Sequence, residues 1–295
     1  GLFLLLSENN VALSPTSLEK YLSVSSMNHG RSLRQGIYQL DPKTSVTKVP
    51  KIVHFVLLGD PPGFMIKVTE YSTKAIESHG FKVMIHRDDD GEELIRNHYP
   101  TLLRPWELLK AIPHADKAAR MVDFLRVIVL YHFGGIYLDS AMVTFQDLSE
   151  LTNTPEIMSF PVVEWKNSKV INAVMAGPPQ HLLFKMAIAM RYKNEEDLVN
   201  EHIFVATGPV RITRAFEAYC KVKRVDNPFH LTDRSPRWIT AGDVRITTQR
   251  MDAFGLVHLH MSSWQGLGKT KNECNSNYEL IEPFLNYECN HVGGV

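Results

Sequence analysis

Asp123, Arg126 and Asp139 are the residues whose types and spacing best suit chemistry. Asp123 and Arg126 stand three apart within the apolar run VDFLRVIVLYHF, so on a helix they share a face. Gly134-Gly135 ends that run, Ile136-Tyr137-Leu138 reads as a short strand, and Asp139 follows at its tip. Ligands of open α/β sheets sit beyond the carboxyl ends of the strands. A carboxylate there can accept a hydrogen bond from a sugar hydroxyl or hold a divalent cation together with diphosphate oxygens. Each residue taken singly has a plainer alternative. A strand-end Asp can cap the next turn. Asp123 and Arg126, with Asp116 and Arg120 near the same stripe, can form a solvated ion-pair row worth roughly a few tenths of a kcal/mol per pair. The order helix Asp and Arg, Gly-Gly turn, strand-tip Asp favours the chemical reading.

The elements that position these residues follow from the apolar pattern. Ile52–Leu58 is a continuous apolar strand, as expected when both faces of a sheet are covered, and Gly59-Asp60-Pro61-Pro62 ends it. A helix over Lys67–Ser78 stops at Gly80, and FKVMIH is a second strand. Strand, helix, strand in this order predicts a parallel pair with a right-handed crossover. The longest helix spans Ala115–Phe133. IMSFPVV and GLVHLHM read as later strands, and His181–Tyr192 and Val210–Tyr219 as helices. No Gly-x-Gly-x-x-Gly turn or Gly-x4-Gly-Lys-Ser/Thr loop accompanies them. Thr207-Gly208-Pro209 precedes the last helix. Pro209 suits its first position, and the backbone N–H groups at that start are the alternative, an anion site. His258 and His260 alternate on a strand and face one side. They suit a metal or a leaving phosphate, or else are buried and bonded to carbonyls.

Bulk properties exclude several classes. The chain has 295 residues, 44% hydrophobic and 22% charged, as expected of one large α/β domain. Lys plus Arg and Asp plus Glu are 32 each, so no global field favours nucleic acid or an anionic membrane. No apolar run approaches the roughly 18–20 residues of a membrane span. The opening GLFLLL is read as a terminal strand or exposed stub, with the tail of a removed signal or anchor as the alternative. Cys220, Cys274 and Cys289 are too few for a disulfide scaffold; a Cys274–Cys289 bridge would imply an oxidising compartment. The compartment is otherwise open. A metal hydrolase on His54, His202, His258 and His260 has no supporting ligand spacing.

The stretch VDFLRVIVLYHFGGIYLDSA closely resembles the signature of the DXD-motif sugar transferases of glycosyltransferase family 32, SDxxRyxxLyxxGGiYxDxD. VPKIVHFVLLG resembles the family's opening strand, with His54 in its His position. NAVMAGPPQHLL, ATGPVRITRAF and HLHMSSW resemble later segments in the right order, so the likeness covers roughly Val49 to Trp264. It implies an α/β, GT-A-type single nucleotide-binding domain with a mixed, mostly parallel sheet and helical additions. That domain would span 49–270, between an N-terminal arm, 1–48, and a C-terminal tail, 271–295. It implies a glycosyltransferase that moves a hexose from a UDP- or GDP-sugar, with retention, to a glycan, lipid or protein acceptor. Carried over by position, His54, Asp123, Arg126, Tyr137, Asp139, Ser263 and Trp264 would bind the nucleotide sugar, with Asp139 and Arg126 catalytic. Asn172, Thr207 and Gly208 would lie on the acceptor side.

The family has a second Asp where this chain has Ala141. That Asp usually binds manganese or magnesium, which neutralises charge on the departing diphosphate. Asp139, His258, His260 and Ser262 are the substitutes for holding such a cation. Alternatively Arg126 and Lys269 replace it, since arginine suits phosphate recognition. A third alternative is a catalytically impaired protein that binds nucleotide sugars.

Overall fold

The structure is a computed structural model that describes residues 48–113, 116–144, 146–152, 158–163, 169–190, 195–226, 239–247 and 255–258. Strand β1, Ile52–Val56, lies between β2, Lys82–His86, and β3, Gly135–Leu138, and is parallel to both. Between β1 and β2 runs helix α1, Gly63–Ser78, and after it Gly80 takes φ +77°, a left-handed conformation that glycine adopts without a Cβ clash. Helix α2, Asp88–His98, carries three acids in its first turn and Arg96 and His98 in its last, the arrangement that complements the helix dipole. A short 3-10 turn and α3, Leu103–Lys110, lead to α4, Lys117–Phe133, the longest described helix.

The sheet continues outward from β3 through β7, Val174–Gly177; β5, Met158–Val163; β9, Val244–Thr247; and β8, Ile239–Ala241. The β5–β9 pair is parallel, whereas β3–β7, β5–β7 and β8–β9 are antiparallel. Strand β6, Lys169–Val170, pairs with β5. A separate two-stranded ribbon joins β4, Met142–Thr144, to β10, Leu256–His258, with His258 opposite Met142. Helices α5, Leu182–Ala189; α6, Glu195–Asn200; α7, Ile203–Ala206; and α8, Pro209–Lys223, complete the layers.

Alternation along the strands splits the apolar side chains between two cores. Val53, Phe55, Ile136 and Leu138 pack with Ile76 and Phe81 on the α1 side. Val56, Tyr137 and Met175 pack with Trp106, Leu125, Ile128, Phe184 and Phe216 on the α4 side. Helix α4 is nearly continuously buried from Arg120 to Leu130, so its charged residues are inside the protein and do not form a solvated row. Arg120 reaches Asp116 Oδ2 at 2.9 Å and donates to Leu198 O and Glu201 O at 3.1 and 2.8 Å. It thereby satisfies carbonyls at the end of α6, as Arg211 does at the end of α5 by donating to Ala187 O and Met190 O. These carbonyls have no intrahelical donor. No helix among the described residues is long and apolar enough to cross a membrane.

Candidate active site

The site begins at the turn joining α4 to β3. Gly134 and Gly135 have φ of +65° and +95°, and their missing side chains leave room for backbone. A Cβ on Gly134 would stand 2.6 Å from Pro179 N, and one on Gly135 would stand 2.4 Å from Ile52 O. The carbonyl of Gly134 accepts from His54 Nε2 at 2.8 Å, and His54 Nδ1 is 3.0 Å from His86 Nε2. Because a carbonyl only accepts, His54 carries its proton on Nε2, and Nδ1 accepts from His86. Burial, then the neighbouring His86, pushes the His54 pKa down to about 3, so the ring is neutral at ordinary pH. The likeness to the family put His54 against a nucleotide. In the structure it is fully buried with both nitrogens engaged, and it fixes the glycine turn to β1 and β2.

Arg126 is the centre of the polar constellation. Its Nη2 lies 2.8 Å from Asp123 Oδ1 and its Nη1 2.9 Å from Asp139 Oδ1, and Nη1 also donates to Asn172 O at 2.7 Å. The guanidinium stacks 4.6 Å from the ring centroid of Tyr137, whose hydroxyl donates to Asp139 Oδ1 at 2.7 Å. One buried cation therefore links a helix carboxylate, a strand-tip carboxylate and the chain just before β7. Guanidinium suits this role because its donors lie in a rigid planar fork. Asp139 and Arg126 come together as a direct ion pair, which the spacing of a helix residue and a strand-tip residue did not foretell. The acceptor on Asn172 is its carbonyl, a group that every residue has and that sequence cannot single out.

Asp123 is buried at 7% exposure. Besides Arg126 it accepts from Asn172 Nδ2 at 2.8 Å and from Thr207 Oγ1 at 3.3 Å. Gly208 passes so close that a Cβ there would be 3.2 Å from Asp123 Oδ2. Asn172, Thr207 and Gly208, expected on the acceptor side, thus surround Asp123. The start of α8, a candidate anion site, faces this internal carboxylate. Burial raises the Asp123 pKa to about 6 against the opposing effect of Arg126, with Asp139 raising it further. Such a group stabilises the fold fully below its ordinary value of 3.8, and that contribution is lost as pH rises through about 6. Relative to Asp123→Asn, the wild-type chain is expected to lose on the order of 2 kcal/mol between pH 4 and pH 7. Urea unfolding of both proteins across that range checks this; a constant difference between the two curves contradicts it.

Asp139 differs from Asp123 in being partly open, with 24% of its side chain exposed. Burial raises its pKa, but Arg126 and then the hydrogen bond from His258 outweigh this and hold it below the usual value. Its Oδ2 faces His258 Nε2 at 3.5 Å, brought there by the pairing of β10 with β4. A turn closed by Met142 N donating to Asp139 O at 2.9 Å follows the carboxylate, and Ala141 is buried within it at 5% exposure. The resemblance implies a divalent cation at this carboxylate. Asp139 Oδ1 is already filled by Arg126 and Tyr137, Ala141 has no donor atom, and His258 contributes one nitrogen. Among the described residues no group of three His, Cys, Asp or Glu side chains could hold a metal, so the described part of the donor set does not fit one. His260, Ser262, Ser263, Trp264 and Lys269 lie outside the described residues, as do the N-terminal arm up to residue 47, the tail and its two cysteines.

Comparison with known proteins bears on the same region. Residues 68–158 match the family model described as "Glycosyltransferase sugar-binding region containing DXD motif". The chain is 28% identical over 187 residues to inositol phosphoceramide mannosyltransferase 2 of Schizosaccharomyces pombe, covering 61% of this chain and 49% of that protein. It is 31% identical over 102 residues to human lactosylceramide 4-alpha-galactosyltransferase, covering 34% and 26%. The chain thus spans about half or less of these relatives' length. Among solved structures, the PaToxG glycosyltransferase is similar with a TM-score of 0.45 and 16% identity, over 58% of this chain and 70% of that one.

Proposed function

We propose, for a chain whose residues 68–158 belong to the DXD-containing sugar-binding region of glycosyltransferases, that it is a retaining hexosyltransferase of GT-A type using a UDP- or GDP-sugar. The observation that carries this reading is a partly open carboxylate, Asp139, at the carboxyl end of β3, held by a fully enclosed Arg126. Such a fixed acceptor suits a hydroxyl of the donor, and positioning of this kind supplies much of the rate of a group transfer. The transferred hexose leaves its nucleoside diphosphate as the bond from the anomeric carbon to the phosphate oxygen breaks. The acceptor hydroxyl forms the new bond on the same face, and its proton passes to the departing phosphate oxygen. Asp139 orients the donor, Arg126 and Tyr137 hold Asp139, and Asp123 with Asn172 and Thr207 holds Arg126. Ser263 and Trp264 stand in the segment that would meet the diphosphate.

The two relatives act, by name, on inositol phosphoceramide and lactosylceramide, so a lipid-linked sugar or inositol phosphate is the first acceptor to try. Incubation with a panel of UDP- and GDP-hexoses is expected to release nucleotide from at least one donor, faster when acceptor is present. Absence of release from every donor removes the transferase reading. Ala141 motivates a second reading, a protein that binds nucleotide sugars without turning them over. It predicts saturable binding of a donor in the same assay with no nucleotide released.

A further inference from the structure

We infer that Asp139 engages its ligand without a divalent cation, its carboxylate held from inside the protein by Arg126. The inference rests on the nucleotide-sugar reading and concerns how the same site meets its donor. Where the motif carries two acids, a metal at the β3 tip meets two carboxylates; here one is half engaged and the other is missing. At Asp139, Oδ1 takes Arg126 Nη1 at 2.9 Å and the Tyr137 hydroxyl at 2.7 Å, which leaves Oδ2 as the outward acceptor. At the second position the side chain is the methyl of Ala141, which has no donor atom.

Among the described residues the third nearby candidate is His258, whose Nε2 lies 3.5 Å from Asp139 Oδ2 and would add a single nitrogen to a single carboxylate oxygen. Oδ2 can accept a hydrogen bond from a sugar or ribose hydroxyl with no metal between them. Tyr137 is a positioning residue in this arrangement. Buried completely and stacked on the guanidinium, it keeps Oδ1 turned toward Arg126.

The test measures binding of UDP and GDP to the whole chain by calorimetry, in EDTA and in manganese, alongside the electron paramagnetic resonance signal of Mn2+. Controls contain nucleotide and Mn2+ without protein. The dissociation constant is expected to agree within about twofold between the two conditions, with no Mn2+ signal lost beyond the control. Ala141→Asp, which supplies the second acid, is expected to bind nucleotide about tenfold more tightly with manganese than without. Wild-type binding that is tenfold or more tighter in manganese, or a Mn2+ signal quenched by the wild-type protein, overturns the inference and leaves the nucleotide-sugar reading standing. An Ala141→Asp protein that folds and stays indifferent to manganese overturns the role given to position 141. If neither nucleotide binds in either condition, the nucleotide-sugar reading fails and takes this inference with it.

Discussion

Arg126→Met is expected to destabilise the chain by about 3–5 kcal/mol and to abolish transfer. Methionine roughly preserves the volume of the arginine stem, so the loss does not come from an empty cavity. It comes from acceptors left without a donor: Asp123 Oδ1 and Asp139 Oδ1 each lose a charged partner, and Asn172 O loses a hydrogen bond. Two carboxylates then share a poorly solvated region, and one must take up a proton or the surroundings must open. Removing one member of a buried ion pair costs more than the pair itself contributes, because the charge left behind is uncompensated. The triple variant Arg126→Met, Asp123→Asn, Asp139→Asn is therefore expected to recover much of the stability and none of the transfer. Thermal unfolding followed by circular dichroism, with nucleotide release measured in parallel, separates the two effects. An Arg126→Met protein as stable as wild type would show that the guanidinium is not what holds the two carboxylates.

The second large effect is expected at the glycine turn. Gly135→Ala should cost about 3 kcal/mol or more, since φ is +95° and the new Cβ would stand 2.4 Å from the backbone oxygen of Ile52. Backbone cannot swing aside as a flexible side chain would, so the β1–β3 pairing must shift. Gly80→Ala is the control. Its φ is also positive, at +77°, but nothing lies within 4 Å of the added Cβ, and the cost should be only about 1 kcal/mol. Urea unfolding of the two variants measures the difference. Similar losses at both positions would assign the effect to φ alone and deny the close approach of the strands. Gly135→Ala should also slow nucleotide release, because Asp139 sits four residues beyond the displaced backbone.

Much of this arrangement is legible in the sequence where a local rule governs it. The apolar runs at Ile52–Leu58 and Val122–Phe133, the breaks at Gly80 and Gly134-Gly135, and the parallel β1–β2 pair follow from period, length and turn chemistry. Several boundaries moved. The first strand ends at Val56, two residues early. Helix α1 begins at Gly63, directly after Pro62, four residues before the expected start at Lys67. Helix α8 extends past Tyr219 to Lys223, because Cys220 is buried against the same core. Helix α5 stops at Ala189, where Arg211 takes its final carbonyls.

What sequence spacing did not convey is which polar groups satisfy one another across the fold. Asp116 and Arg120 look the same in the sequence whether they face water or the end of α6. His54 looks the same whether it faces a ligand or His86. Such pairings depend on helix packing and sheet register, and the residues involved lie 13 to 84 positions apart. Residue type narrowed the candidates for the site, and tertiary contact decided their tasks.

One consequence concerns whether the recognisable segment is portable. Residues 68–158 include Asp123, Arg126, Tyr137 and Asp139. The amide and hydroxyl that solvate Asp123, on Asn172 and Thr207, lie downstream, and the strand that carries His54 lies upstream. Excised alone, or grafted onto a foreign scaffold, that segment would carry an interior carboxylate short of two of its donors and a glycine hinge with no strand to clasp. Swapping such cassettes between distant transferases should therefore succeed only when both flanks travel with them.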